Sequence, residues 1–238
     1  MAARWISRGP YICGMDRHIQ LTADGSHTIA VPGMGVTYHS TRGALQESLH
    51  VFIAAGLRPL LGRHPVLRIF EAGLGTGLNA LLTLQEAGPQ AVYYEAVEPY
   101  PLSAAEAQAL NYNEMLNNSP SAGSLQALHA APWEQPVALS PGFTLCKRQS
   151  SLQQYLAQSL PPPFHLVYFD AFDPVAQPEL WSQEVFEQLF ARLDTGGVLV
   201  TYCSKGAVRR AMQAAGFKVE KLPGPPGKRE IIRAGKEV

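Results

Sequence analysis

From Val66 onward the chain alternates short apolar runs of strand length with stretches whose apolar residues recur at helical spacing. That alternation admits few folds, because strands separated by helices pair in parallel and the helices then cover both faces of the sheet. Seven strands are expected, at residues 66–70, 92–97, 143–146, 165–169, 198–202, 217–222 and 230–233, with helices at 78–86, 102–110, 152–160, 183–193 and 206–215. The last two strands are joined by Pro223-Gly224-Pro225-Pro226-Gly227-Lys228 with no helix between them. Such a link is too short for a right-handed parallel crossover, so this pair is expected to be antiparallel. The fold class is therefore α/β: a Rossmann-like, seven-stranded, mostly parallel sheet with an antiparallel last strand.

Ahead of this pattern, β-prone pieces at 19–22, 28–31 and 36–38 are separated by Asp24-Gly25 and Pro32-Gly33, which favour turns. They predict a small β appendage over 1–40, leaving 41–238 as the main domain. Leu45, Leu49, Phe52, Ile53 and Leu57 predict an amphipathic helix over 43–61 that ends at Gly62 and Pro65. Residues 117–141, rich in Ser, Pro, Ala and Gly, read as a surface insertion. A length of 238 residues and 46% hydrophobic content suffice for the core of one domain. No apolar run is long enough to span a membrane and no signal stretch opens the chain, so a cytoplasmic location is expected. Cys13, Cys146 and Cys203 are odd in number and far apart, which points to buried free thiols. Net charge is zero, yet residues 201–238 hold nine Lys/Arg against three Glu, a net +6, and the remainder is net −6. Lys205, Arg209, Arg210, Lys228 and Arg229 are the candidates for meeting phosphates in that basic segment, although ordinary solvated faces explain such charges equally simply.

Three constellations carry chemistry. Glu71-Ala72-Gly73-Leu74-Gly75-Thr76-Gly77 falls where the first strand ends and a helix begins. Its glycines allow a tight turn and close approach of a ligand, and the free N–H groups of the helix start attract a polar group. The spacing G-x-G-x-G departs from the dinucleotide fingerprint, and an acid just before it suits a ligand bearing an ammonium group. A structural turn is the other reading of the loop. Glu98, 27 positions after Glu71 at the end of the second strand, can accept both hydroxyls of a ribose. Phe169-Asp170-Ala171-Phe172-Asp173-Pro174 closes the fourth strand at the same carboxyl edge, where Asp170 is the candidate proton acceptor and Asp173 a cap or turn residue. Phe172 and Trp181 can stack on a base, though packing is the commoner role of such rings. The seven histidines show no metal-ligand spacing, and no metal is called for.

These residues, with Tyr38-His39-Ser40, Gly43-Ala44-Leu45-Gln46-Glu47-Ser48 and Gly227-Lys228-Arg229-Glu230, resemble the methyltransferase domain of the bifunctional tRNA 5-methylaminomethyl-2-thiouridine biosynthesis proteins, the MnmC family, and its stand-alone relatives. The likeness continues through Gln177-Pro178-Glu179-Leu180-Trp181 and the segment from Thr201 to Arg210, and covers about Tyr38 to the end. The resemblance implies a class I methyltransferase fold and S-adenosylmethionine as cofactor. It implies methylation of the amine of 5-aminomethyl(-2-thio)uridine at the wobble position of tRNA. Glu71, Gly73, Gly75, Gly77, Asn79, Glu98, Gln149, Ser150 and Asp170 match cofactor-side positions, and Asp170 with Phe172 matches the site of the amine. Gln149 stands where an acid is common beside adenine, and Gln177 where Asn is common. The bifunctional relatives add a flavin-dependent oxidase domain that exposes the amine; at this length the chain is expected to lack it, so separate enzymes would supply the aminomethyl group. The alternatives are a methyltransferase for a small-molecule amine and a non-catalytic adenosine- or tRNA-binding module.

Overall fold

The computed structural model describes residues 16–116, 124–159 and 162–237. Cys13, part of the expected appendage and part of the expected 117–141 insertion lie outside them. The chain opens with a small antiparallel sheet, β1 (His18–Leu21), β2 (His27–Val31) and β3 (Val36–Thr37), in that order. A long helical segment follows, α-helical over α1 (Ala44–Ser48), π-wound over Leu49–Leu57 and closed by a 3-10 turn at Arg58–Leu60. The main sheet then begins with β4 (Val66–Ala72), α2 (Leu78–Glu86) and β5 (Ala91–Val97), followed by short helices α3 (Ala104–Gln108), α4 (Tyr112–Met115) and α5 (Leu125–Ala130). Next come β6 (Pro136–Ser140), β7 (Phe143–Arg148), α6 (Leu152–Leu156), β8 (Phe164–Phe169), α7 (Gln183–Arg192), β9 (Leu193–Thr201), α8 (Gly206–Ala214), β10 (Lys218–Pro223) and β11 (Glu230–Gly235).

The main sheet runs β10-β11-β9-β8-β4-β5-β7-β6. Its centre, β9-β8-β4-β5-β7, is parallel; β10 pairs antiparallel with β11, and β11 with β9. The strand count is eight rather than seven. The additional strand, β6, lies within the stretch expected to be an insertion, where it pairs antiparallel with β7 as the far edge of the sheet. It begins at a proline and alternates weakly, and an edge strand tolerates both.

Alternation along the central strands divides the core. Leu67 and Ile69 of β4, and Leu166 and Tyr168 of β8, face a layer built from Phe52, Ile53, Leu57, Leu78 and Leu81. Phe70 and Ala72, with Val167 and Phe169, face the opposite layer, built from Leu152, Val185, Phe186, Leu189 and Met212. Successive residues of a strand point to opposite faces, so a predominantly apolar run is what a doubly covered strand requires. The helical segment over 44–60 packs tightly on the first face. A Cβ on Gly56 would stand 3.0 Å from Val200 and 3.2 Å from Tyr168. Gly56→Leu is therefore expected to overpack this layer and lower stability by about 1–3 kcal/mol. The readout is a lower urea midpoint with an unchanged slope, and an unchanged midpoint would mean that the helix yields freely.

Candidate active site

The carboxyl ends of β4, β5 and β8 converge on one cavity, the usual ligand crevice of open α/β sheets. Its walls include Gly73, Leu74 and Gly75 after β4, Glu98 and Tyr100 after β5, and Asp170 and Phe172 after β8. Both glycines are needed. Gly73 (φ 93°) and Gly75 (φ 52°) adopt left-handed backbone, and a Cβ on Gly73 would come within 3.1 Å of the Asp170 carbonyl. Glu98 supports the loop from the next strand: one carboxylate oxygen accepts the Gly75 N–H at 2.9 Å and the other the Tyr100 N–H at 2.8 Å. Burial pushes its pKa up, while those two N–H groups oppose the shift. A carboxylate offers about four lone-pair sites, so both oxygens retain capacity for ribose hydroxyls.

Asp170 sits on the cavity wall with its Oδ2 held at 2.8 Å by the Asn79 amide. Burial, and secondarily Glu47, raises its pKa to about 7, against the pull of Asn79 and Lys228. Phe172 lines the cavity beside it. Trp181 does not: it is buried against Phe169, Phe186 and Tyr202 and donates its indole N–H to the Phe172 carbonyl, so it buttresses the Phe172 turn. Asp173 accepts the Val175 N–H and pairs with Lys205 at 2.7 Å, the turn role expected of it.

Other sequence candidates stand apart from the cavity. Glu71, Gly77 and Asn79 do not border it; Glu71 lies wholly buried behind the glycine loop. Gln149 and Ser150 stand at the end of β7 without reaching it, because the Gln149 backbone N–H is drawn to the Glu134 carboxylate at 2.7 Å. Ser151, Leu152 and Gln153 take that side of the wall at the start of α6. Of the basic candidates, Lys205 is paired with Asp173, and Lys228 with Glu47 at 2.8 Å. Arg209, Arg210 and Arg229 form no ion pair among the described residues.

Sequence reasoning assigned no part in the site to Tyr38 or His39. Tyr38, just past β3, lines the cavity, rests on Gly75 and meets Phe172 edge-on at 5.1 Å between ring centres. Arg17 anchors this wall by donating to the Tyr100 and Pro101 carbonyls beneath the Tyr38 ring. His39 Nε2 lies 2.6 Å from the Thr76 hydroxyl, and His129 Nε2 donates to the Thr76 carbonyl at 2.9 Å. Burial lowers both imidazoles, His39 to about 4, so neutral rings clamp the loop. The only signal was the Tyr38-His39 dipeptide within a family-like segment.

The donor set fits an S-adenosylmethionine-type ligand. Two glycines leave backbone open to a close approach, and Glu98 and Asp170 present carboxylates to the cavity. Comparison with known proteins agrees. The family model for S-adenosyl-L-methionine-dependent methyltransferases matches residues 152–237. The tRNA 5-methylaminomethyl-2-thiouridine biosynthesis bifunctional protein MnmC of Pseudomonas syringae is 35% identical over 233 residues, covering 91% of this chain and 34% of that protein. The MnmC of Burkholderia pseudomallei is 33% identical over 226 residues, covering 86% of this chain and 34% of that protein. The chain thus spans about a third of the length of the curated relatives it matches. The crystal structure of MNMC2 from Aquifex aeolicus superposes with a TM-score of 0.76 at 24% identity, over 95% of this chain and 72% of that one, a likeness of fold.

Fold and cavity together define a Rossmann-like, class I methyltransferase with S-adenosylmethionine as its cofactor. Within that class the chain is a relative of the MnmC proteins, aligned with about a third of their length. Glu98→Ala is expected to weaken S-adenosylmethionine by about 1.5–3 kcal/mol, the range for hydrogen bonds to a charged group. Calorimetry giving wild-type affinity would remove Glu98 from the cofactor site.

Proposed function

We propose that this protein methylates the amine of 5-aminomethyl(-2-thio)uridine at the wobble position of tRNA. One observation carries the reading: a half-buried carboxylate, Asp170, borders the cavity beside the glycine loop with its pKa raised to about 7. Such a group can take a proton from an amine near neutral pH. S-adenosylmethionine, held beside the glycine loop and Glu98, would supply an electrophilic methyl group on a sulfonium and leave as a neutral thioether. Asp170 accepts one hydrogen of the amine, orients the lone pair and takes the proton released. Phe172 and Tyr38 flank that position with apolar surface and narrow the access of water. The remaining catalytic contribution is proximity and alignment of donor and acceptor. The names of the MnmC relatives support the choice of a modified uridine in tRNA. On this reading separate enzymes supply the aminomethyl group, and the protein works in the cytoplasm. Arg209, Arg210 and Arg229 are the phosphate contacts we favour, since Lys205 and Lys228 are already paired.

Those two ion pairs also favour a second reading, a small-molecule amine as acceptor, because they spend part of the basic segment inside the protein. Labelled S-adenosylmethionine offered with undermethylated bulk tRNA and, separately, with free 5-aminomethyluridine decides between them. Label in 5-methylaminomethyluridine from digested tRNA alone supports the tRNA reading, whereas label on the free nucleoside alone overturns it. Asp170→Asn is expected to keep the fold and lower turnover by about 10²-fold. Wild-type turnover should fall as pH drops below about 7, because protonated Asp170 can no longer accept. A flat profile from pH 6 to 8, with chemistry rate-limiting, would deny Asp170 that role.

A further inference from the structure

Behind the glycine loop lies a chain of buried polar groups that the cavity itself does not expose. The Tyr94 hydroxyl of β5 donates to Glu71 Oε2 at 2.8 Å, and the Asn79 amide of α2 donates to Glu71 Oε1 at 2.9 Å. The same Asn79 nitrogen donates to Asp170 Oδ2 at 2.8 Å. Both of its N–H bonds are thus committed to carboxyl oxygens, one on β4 and one just past β8. The flanking carboxyls fix which way the amide points, since an amide oxygen turned toward them would meet only acceptors.

An acid just before a glycine-rich loop invites a role opposite the ammonium group of a cofactor. Glu71 is wholly buried, does not border the cavity, and has each oxygen already engaged by a protein donor. We infer that Glu71 is a positioning residue, holding the Asn79 amide so that Asn79 in turn fixes Asp170 Oδ2 and leaves Oδ1 for the acceptor amine. The inference deepens the methyl-transfer reading and rests on it for the identity of the acceptor.

The electrostatics agree with the geometry. Burial drives the Glu71 pKa well above the carboxylate range, against the hydrogen bonds from Asn79 and Tyr94, and so favours its neutral form. Asp170 also feels Glu47 from α1 and Lys228 from the β10–β11 loop. Tyr94, Tyr112 and Tyr202 face it from β5, α4 and the end of β9. Among the described residues the hydrogen bond to its carboxylate comes from Asn79 alone. Loosening Asn79 therefore raises the Asp170 pKa.

Two variants and two readouts test this. Glu71→Ala releases Asn79; Glu71→Gln keeps the oxygen that receives it and guards against loss of folding. Calorimetry with S-adenosylmethionine should give affinities within about threefold of wild type for both, where loss of a direct ammonium contact would cost tenfold or more. The Asp170 titration is followed by carboxyl ¹³C NMR and assigned by its absence in Asp170→Asn. Its midpoint should move upward in Glu71→Ala and return toward wild type in Glu71→Gln, with turnover at saturation falling at least about tenfold in the first and recovering in the second. A tenfold loss of cofactor affinity in Glu71→Gln would overturn the inference, as would an unmoved Asp170 midpoint in Glu71→Ala. Calorimetry and NMR need no acceptor, so they decide the role of Glu71 even if neither tRNA nor free nucleoside is methylated, an outcome that would sink the methyl-transfer reading separately.

Discussion

The pairing of β4 with β8 is the contact on which the site depends. In that register Ala72 lies opposite Phe169, and the Asp170 N–H donates to the Ala72 carbonyl at 3.2 Å. The strands separate one residue later, and in the gap Gly73 passes so near the Asp170 carbonyl that a side chain there would collide with it. Loop and carboxylate come from segments 91 residues apart at Asn79 and Asp170, yet the ladder sets their spacing. Parallel pairing thus brings a cofactor-binding turn and a proton acceptor to one edge without either having to be built for the other.

This edge carries an unusual density of acid. Glu71 and Glu98 are buried and Asp170 half-buried, all three are raised by desolvation, and none forms an ion pair among the described residues. Hydrogen bonds take the place of counter-charges: two backbone N–H groups for Glu98, an amide and a phenol for Glu71, an amide for Asp170. Buried carboxyls satisfied in this way can change ionisation at moderate cost, as a site handling a cationic donor and an amine requires. Lys228, the cation that acts on Asp170, is itself paired with Glu47.

Much of the fold was legible in the sequence because its central strands are covered on both faces and read as predominantly apolar runs between helices, broken by single polar residues such as Arg68, Glu95 and His165. The antiparallel return of β11 was legible from the Pro-Gly link alone. β6 was not, since its short run Val137-Ala138-Leu139 follows Pro136 within a Ser, Pro, Ala and Gly-rich stretch that carries no helix or strand periodicity of its own. At the site, glycine spacing and strand-end acids located the cavity edge, but the direction each acid faces depends on strand phase. Glu71 and Glu98 both stand at strand ends, one turned inward behind the loop and the other toward the cavity. The contribution of Tyr38 and His39 depends on how the small sheet packs against the glycine loop, and no local pattern encodes that. The partner of Lys228 is 181 residues away, so charge counting saw a free cation where the fold places a pair.

That same Glu47–Lys228 bridge joins the first helical segment to the last hairpin and so has a bearing on the order in which the site is assembled. A chain emerging from the ribosome presents its glycine loop, Glu98 and Asp170 well before β11. Until the last hairpin is in place Glu47 has no lysine, and Asp170 faces an uncompensated acid from α1. The cofactor half of the cavity can therefore take shape on a nascent chain, while the acceptor side reaches its working charge balance only when the C-terminal segment has folded back onto the first helix.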